Sequence, residues 1–193
     1  MNNKYNIKFY RSIKKFLTLP MKLVFNTKVT GLENIPDKPY ILAGNHKNMF
    51  DVVILITNID DEIHFMAKKE LFKLKILNSI FRKMGAFPVD RNGNDIKAIK
   101  ESFRILKSGE VLGIFPEGTR NKTDNILLPF KEGVTSIASK TNVPIVPFGI
   151  AGKFKRNKLR LNIGEPIYIN KIEKEKQKEY LEEKVKELVL RKY

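Results

Sequence analysis

Residues 43–55 read AGNHKNMFDVVIL. An apolar strand, Tyr40 to Ala43, runs into this stretch, and the apolar run Val52 to Ile56 leaves it, so a polar loop joins a strand to a helix beginning near Phe50. The same alternation extends in both directions. Upstream, TKVTGLENIP reads as a short strand and turn. Downstream, EIHFMAKK is a strand, Glu70 to Met84 is a broken helical stretch carrying Leu71, Leu74, Leu77 and Ile80, and GAFPV is a short extended piece. Ile96, Ile99, Phe103 and Leu106 recur at helical spacing and predict a helix from Asp95 to Lys107, stopped by Gly109. EVLGIFPEG is a buried strand entering a loop, GVTSIASKTN is a helix, and VPIVPFGIA and KLRLNIG are strands. The charged tail from Glu173 to Arg191 is a helix with Tyr180, Leu181, Val185 and Leu188 inward. Strands alternating with helices imply an α/β sandwich, a mixed and largely parallel sheet flanked by helices. Ligands of such folds bind at the carboxyl ends of the strands. Pro144 and Pro147 predict that their strand is an edge, or ends near a groove.

Composition narrows the functional classes. A chain of 193 residues with 42% hydrophobic side chains supports one globular domain with a proper core. It has no cysteine, which excludes disulfides, thiolate metal sites and cysteine nucleophiles. The longest apolar run is the five residues Val52 to Ile56, far short of the ~18 to 20 needed to span a bilayer. The N-terminus lacks a signal peptide's apolar region, so the expectation is a chain kept inside the cell. The net charge of +16 favours an anionic partner, whether nucleic acid, an acidic membrane surface or a phosphorylated metabolite.

The residues that carry chemistry lie in loops. On a regular helix His46 and Asp51 would point about 140° apart, so they meet only across a bend. If His46 ends the strand and Asp51 opens the helix, the carboxylate reaches one imidazole nitrogen and leaves the other free as a general base; otherwise His46 is a loop histidine beside a capping aspartate. In IFPEGTRN, residues 114–121, Glu117 and Arg120 flank Gly118 and Thr119 in a turn after a buried strand. Arginine's planar fork, a glycine that lets an anion approach the backbone and a threonine hydroxyl suit a phosphate, while an internal Glu117–Arg120 ion pair is the structural alternative. GAFPVDR places Asp90 and Arg91 after another short apolar piece.

In order, N-H-x4-D, G-x-F-x-x-D-R, F-P-E-G-T-R and V-P-I-V-P closely resemble the four motifs of the glycerolipid acyltransferases, in particular the bacterial 1-acyl-sn-glycerol-3-phosphate (lysophosphatidic acid) acyltransferases. The resemblance covers residues 40 to 150 and takes in AKKEL and PFKEGV. It departs at Asn48 and Asn121, where many members carry serine. The resemblance implies transfer of a fatty acyl group from acyl-CoA or an acyl-carrier-protein thioester to the free hydroxyl of lysophosphatidate, or of another lysolipid or glycerol-3-phosphate. It assigns catalysis to His46 and Asp51 and the acceptor's phosphate to Arg91, Arg120, Glu117, Gly118 and Thr119, with Lys68 or Lys69 as weaker candidates. Glu117 is expected to position Arg120 or bond the glycerol hydroxyl. No acyl-enzyme, cofactor or metal is implied. A nucleic-acid-binding module would explain the charge, but RNP, KH and zinc-finger patterns are absent from the sequence. A His/Asp metallohydrolase would need more ligands than two histidines and scattered carboxylates provide.

From Lys4 to Leu19, with Pro20 as the expected stop, Tyr5, Phe9, Ile13, Phe16 and Leu17 project to one side and Lys4, Lys8, Arg11, Lys14 and Lys15 to the other. Such a basic amphipathic helix suits the anionic surface of a membrane. The expected organisation is therefore a membrane-associating segment over residues 1–26 and an acyltransferase domain over residues 27–193, held peripherally at the cytoplasmic face of the cell membrane.

Overall fold

The apolar runs assemble into a sheet with helices on both faces. The structure, a computed structural model, describes residues 5–90 and 95–191. Its strands are β1 (Lys28–Thr30), β2 (Ile41–Gly44), β3 (Ile63–Lys68), β4 (Phe87–Val89), β5 (Val111–Ile114), β6 (Ile145–Gly152) and β7 (Leu159–Ile163). The helices are α1 (Ile7–Val24), α2 (Asp51–Asn58), α3 (Lys75–Lys83), α4 (Ile96–Lys107), α5 (Gly133–Thr141) and α6 (Gln177–Leu190). The strand order is β1-β7-β6-β2-β5-β3-β4, and every neighbouring pair is parallel except β6 with β7.

Alternation along each strand divides the core. Ile41 and Ala43 of β2, Leu112 and Ile114 of β5 and Ile145 of β6 join residues of α4, α5 and α6 in one apolar cluster. Leu42, Val111, Val146 and Phe148 face the other way and join Ile54 and Leu55 of α2 and Tyr10 of α1. A strand buried on both faces reads as a continuous apolar run, which is why ILA, VLGI and IVPFGI lack polar alternation.

Two proline readings change. The strand carrying Pro147 is interior, between β7 and β2. The Pro147 carbonyl turns toward β7, accepting from the Gly164 N–H at 2.8 Å, and β7 pairing begins only at Phe148 with Ile163. The missing N–H therefore falls one step past the last β6–β7 ladder pair, opposite Gly164, and costs the ladder no more than its terminal bond. Pro20 does not stop α1, which continues to Val24. Proline's fixed φ is already helical, and the Phe16 carbonyl left without its usual donor lies on an exposed turn.

The projection of α1 also differs from the expected one. Tyr10, rather than Phe9, is its fully buried side chain, and its hydroxyl accepts from the Ile63 N–H at 3.1 Å. Arg11 pairs with Glu62 at 2.7 Å, and Lys14 donates to the Ile59 carbonyl at 2.6 Å. The acidic turn Asp60–Asp61–Glu62 thus holds part of the basic flank, and Phe16 is 75% exposed, with Leu19 and Leu23 also exposed. Residues within 1–26 thus contribute Tyr10 and Phe25 to the core. Tyr10→Ala is expected to cost about 3–5 kcal/mol, read as a lower denaturation midpoint, because it empties a filled site in the core.

Candidate active site

The parallel pairing of β2 with β5 brings two loops together that lie 71 residues apart in the chain. Both leave the carboxyl ends of neighbouring strands, and each holds the other. The His46 N–H donates to Glu117 Oε1 at 2.7 Å, and the His46 carbonyl accepts from the Asn121 N–H at the same distance. Asn45, fully buried, exchanges two hydrogen bonds with the Ile150 backbone, at 2.7 and 2.8 Å, which anchors the loop to β6.

Asp51 opens α2 and turns back on the loop. Its Oδ2 lies 2.9 Å from His46 Nδ1 and accepts from the N–H groups of Lys47 and Asn48 at 2.8 Å each. An ionised carboxylate at a helix start is favoured by the helix dipole and by these charge-assisted hydrogen bonds. It makes Nδ1 the protonated nitrogen. Nε2 then carries the lone pair, with no hydrogen-bond partner among the described residues. The imidazole stacks on Phe115, centroids 4.1 Å apart, and Phe115 in turn rests against Phe65 and Phe148. A ring held on one edge and one face keeps its free nitrogen aimed in one direction.

Glu117 does something other than expected. Its two oxygens accept from the backbone of His46 and of Leu128, at 2.7 and 2.8 Å, and it does not pair with Arg120. Burial pushes its carboxyl above the usual carboxylate range, and the two N–H donors pull the other way. Glu117→Gln would aim an amide NH₂ at one of those donors. The expected result is a loss of about 1–3 kcal/mol of stability and a kcat about tenfold to a hundredfold lower from displacement of His46, measured by thermal unfolding and steady-state rates.

Arg120 and Thr119 are exposed on the turn that follows. Gly118 has φ +69°, a conformation that favours glycine, and the Lys131 side chain crosses the turn there, its Cε 2.8 Å from where a Cβ would stand. Lys68 lies 3.8 Å from Glu70, and Lys69 pairs with Asp90, so both weaker phosphate candidates have carboxylate partners. Arg91 lies outside the described residues. Asp95 caps α4 through Lys97 and Ala98 and accepts from the Asp90 N–H at 2.8 Å, which fixes the end of β4. Asp90, Phe115, Gly118 and Lys131 border a cavity of about 310 Å³ whose walls include Met66, Val134 and other apolar residues. The second and third sequence motifs thus meet at one cavity, with Phe115 between it and the imidazole.

Asn45, Phe115, Asn121 and Lys131 escape a reading by residue type. A buried strand running straight into Pro-Glu was the available signal for Glu117's inward role.

A histidine held by a carboxylate, its second nitrogen without a hydrogen-bond partner among the described residues, is equipment for activating a hydroxyl toward group transfer. The comparisons define the class: this chain belongs to the acyltransferase family, whose model matches residues 26–151. It is 38% identical over 167 residues to the 1-acyl-sn-glycerol-3-phosphate acyltransferase of Bacillus subtilis, covering 82% of each chain. It is 32% identical over 188 residues to the protein of the same name from Streptococcus pneumoniae, covering 90% of this chain and 69% of that one. The crystal structure of the 1-acyl-sn-glycerophosphate (LPA) acyltransferase PlsC from Thermotoga maritima superposes with a TM-score of 0.76 at 30% identity, over 92% of this chain and 76% of the other.

Proposed function

We propose that this enzyme transfers a fatty acyl group from an acyl thioester to the free hydroxyl of 1-acyl-sn-glycerol-3-phosphate, giving phosphatidate for phospholipid synthesis. The observation that carries the reading is the His46–Asp51 pair, with Nδ1 engaged at 2.9 Å and Nε2 left for substrate. The acceptor is the one named for the Bacillus and Thermotoga relatives.

The acceptor hydroxyl loses its proton to His46 Nε2 as its oxygen attacks the thioester carbonyl, and Asp51 stabilises the imidazolium that forms. Collapse of the tetrahedral intermediate breaks the carbon–sulfur bond, and the imidazolium returns its proton to the departing thiolate. The apolar cavity beside Phe115 accommodates the acyl chain of the donor, which is acyl-CoA or an acyl-carrier-protein thioester. Arg120, with Arg91, Gly118, Thr119 and the Lys68–Lys69 pair, holds the acceptor's phosphate. Glu117 serves as a positioning residue behind His46.

The Arg120 assignment has a directional test. Arg120→Lys keeps the charge and loses the planar fork, so the acceptor KM is expected to rise about tenfold with a smaller change in donor KM, in two-substrate kinetics. An acceptor that is an amphiphile also requires contact with lipid. The exposed Phe16, with Lys8 and Lys15 on α1, supports docking on an anionic membrane at its cytoplasmic face, while Phe9 and Ile13 are partly covered and Arg11 is tied to Glu62. No helix among the described residues is long and apolar enough to cross a membrane.

The decisive experiment offers the purified protein a panel of lysolipids and glycerol-3-phosphate with both thioester donors and identifies the product by mass. Phosphatidate from lysophosphatidate is the expected product. A product from another lysolipid or from glycerol-3-phosphate instead would reassign the acceptor, and duplex binding without acyl transfer would reassign the protein's role.

A further inference from the structure

No residue of α3 is buried. The helix is fastened toward its C-terminal end, where Phe81 meets Phe72 edge-on at 5.9 Å, Arg82 lies over the Phe72 ring at 5.5 Å, the Lys83 carbonyl accepts from the Asn6 N–H at 3.0 Å and the Lys83 ammonium lies over the Phe9 ring at 5.3 Å. On the outer side Leu74 and Ile76 are 63% and 77% exposed, and Leu71 and Ile80 are exposed with them. Soluble monomers rarely leave that many large aliphatic tips together in water unless a partner covers them.

The charge of the segment is one-sided. From Lys69 to Gly85 the only carboxylate is Glu70, against Lys69, Lys73, Lys75, Arg82 and Lys83. Its place in the fold is equally specific. The turn Lys69–Phe72 leaves the carboxyl end of β3, so Leu71, Leu74 and Ile76 stand at the same end of the sheet as His46. The last turn of α1 reaches that end as well. Phe25, just after it, packs on Phe50 with centroids 5.5 Å apart, and Leu23, Val24 and Met49 are exposed around them.

We propose that Leu71, Leu74 and Ile76, with Lys73 and Lys75 between them, form a second membrane contact that seats the active-site end of the sheet on an anionic bilayer. The aliphatic tips enter the boundary between headgroups and acyl chains while the lysines meet acidic headgroups. An acidic soluble protein would be served by the lysines alone; bare aliphatic tips interleaved with them select a lipid surface. With α1 on one side and α3 on the other, a lysolipid acceptor reaches His46 without leaving the interface. The proposal rests on the lipid-acceptor reading, but vesicle binding is measured without turnover, so the two fail separately.

The test compares wild type with the double variant Leu74→Asp, Ile76→Asp and, separately, with Phe16→Asp in α1. Leu74 and Ile76 are exposed and belong to neither apolar cluster of the described residues, so matching circular dichroism and thermal midpoints are expected. Flotation with mixed phosphatidylglycerol and phosphatidylcholine vesicles at low salt is expected to fall at least about tenfold for the double variant. Turnover of vesicle-borne lysophosphatidate should fall with it, while the rate on a short-chain, monomerically dissolved lysophosphatidate stays at the wild-type value. Unchanged flotation overturns the proposal, as does an equal loss on the dissolved substrate. A rise in KM confined to the carrier-protein thioester would make the surface a protein dock, and loss of a wild-type dimer would make it a subunit interface; either overturns the proposal. Retained flotation in the α3 variant with loss in Phe16→Asp leaves α1 as the membrane contact and removes α3. The opposite pattern upholds α3 and removes α1.

Discussion

His46→Ala is expected to lower kcat by about 10²- to 10⁴-fold, the range that a positioned general base supplies. The hydroxyl of a glycerol is a weak nucleophile, and Nε2 is the nitrogen at this site that is free to take its proton. The fold is expected to survive. His46 is held mainly through its backbone, by Glu117 and Asn121, and those hydrogen bonds do not depend on the side chain. The stacking on Phe115 is lost, at a cost of about 1 kcal/mol. Turnover within a few-fold of wild type, in a protein with unchanged circular dichroism, would remove His46 from the mechanism.

Asp51→Asn is expected to be of similar severity in kcat, about 10²- to 10⁴-fold, for a different reason. Oδ2 accepts from His46, Lys47 and Asn48, so only the amide oxygen fits that position. The amide nitrogen then takes the place of Oδ1, which is buried and has no hydrogen-bond partner among the described residues. The tautomer of His46 is kept, but the negative charge that stabilises the imidazolium is gone. A buried NH₂ without an acceptor adds a stability loss of about 1–3 kcal/mol. Wild-type stability combined with wild-type kcat would show that the carboxylate's charge contributes nothing to the transfer.

Most of the architecture was legible because each element carries its own local signal. The helical spacing of Ile96, Ile99, Phe103 and Leu106 marked α4, and the unbroken apolar run of β5 announced a buried strand. His46 with Asp51 was legible for the same reason: five residues and one bend are a local matter, and helical geometry forbids the contact without the bend. The separation of lysine from aromatic side chains in α1 was legible too, although its orientation was not.

What the sequence by itself determined, then, is the set of elements, the α/β class and the pairing of His46 with Asp51, all of which follow from interactions within a few residues of each other. The tertiary structure decided the rest. Glu117 has the composition of an ion-pair partner for Arg120, yet the adjacency of β2 and β5 places the buried His46 N–H against it, the part-buried Leu128 N–H takes its other oxygen, and an unsatisfied buried donor costs more than an exposed ion pair returns. Pro147 sits inside the sheet because its bare nitrogen falls just past the end of β7. Arg11 and Lys14 are tied to the acidic turn at residues 60–62, which comes to lie beside α1, and Phe16 is left in the open. In each case the deciding partner is remote in the chain, and only the order of strands in the sheet brings it into contact.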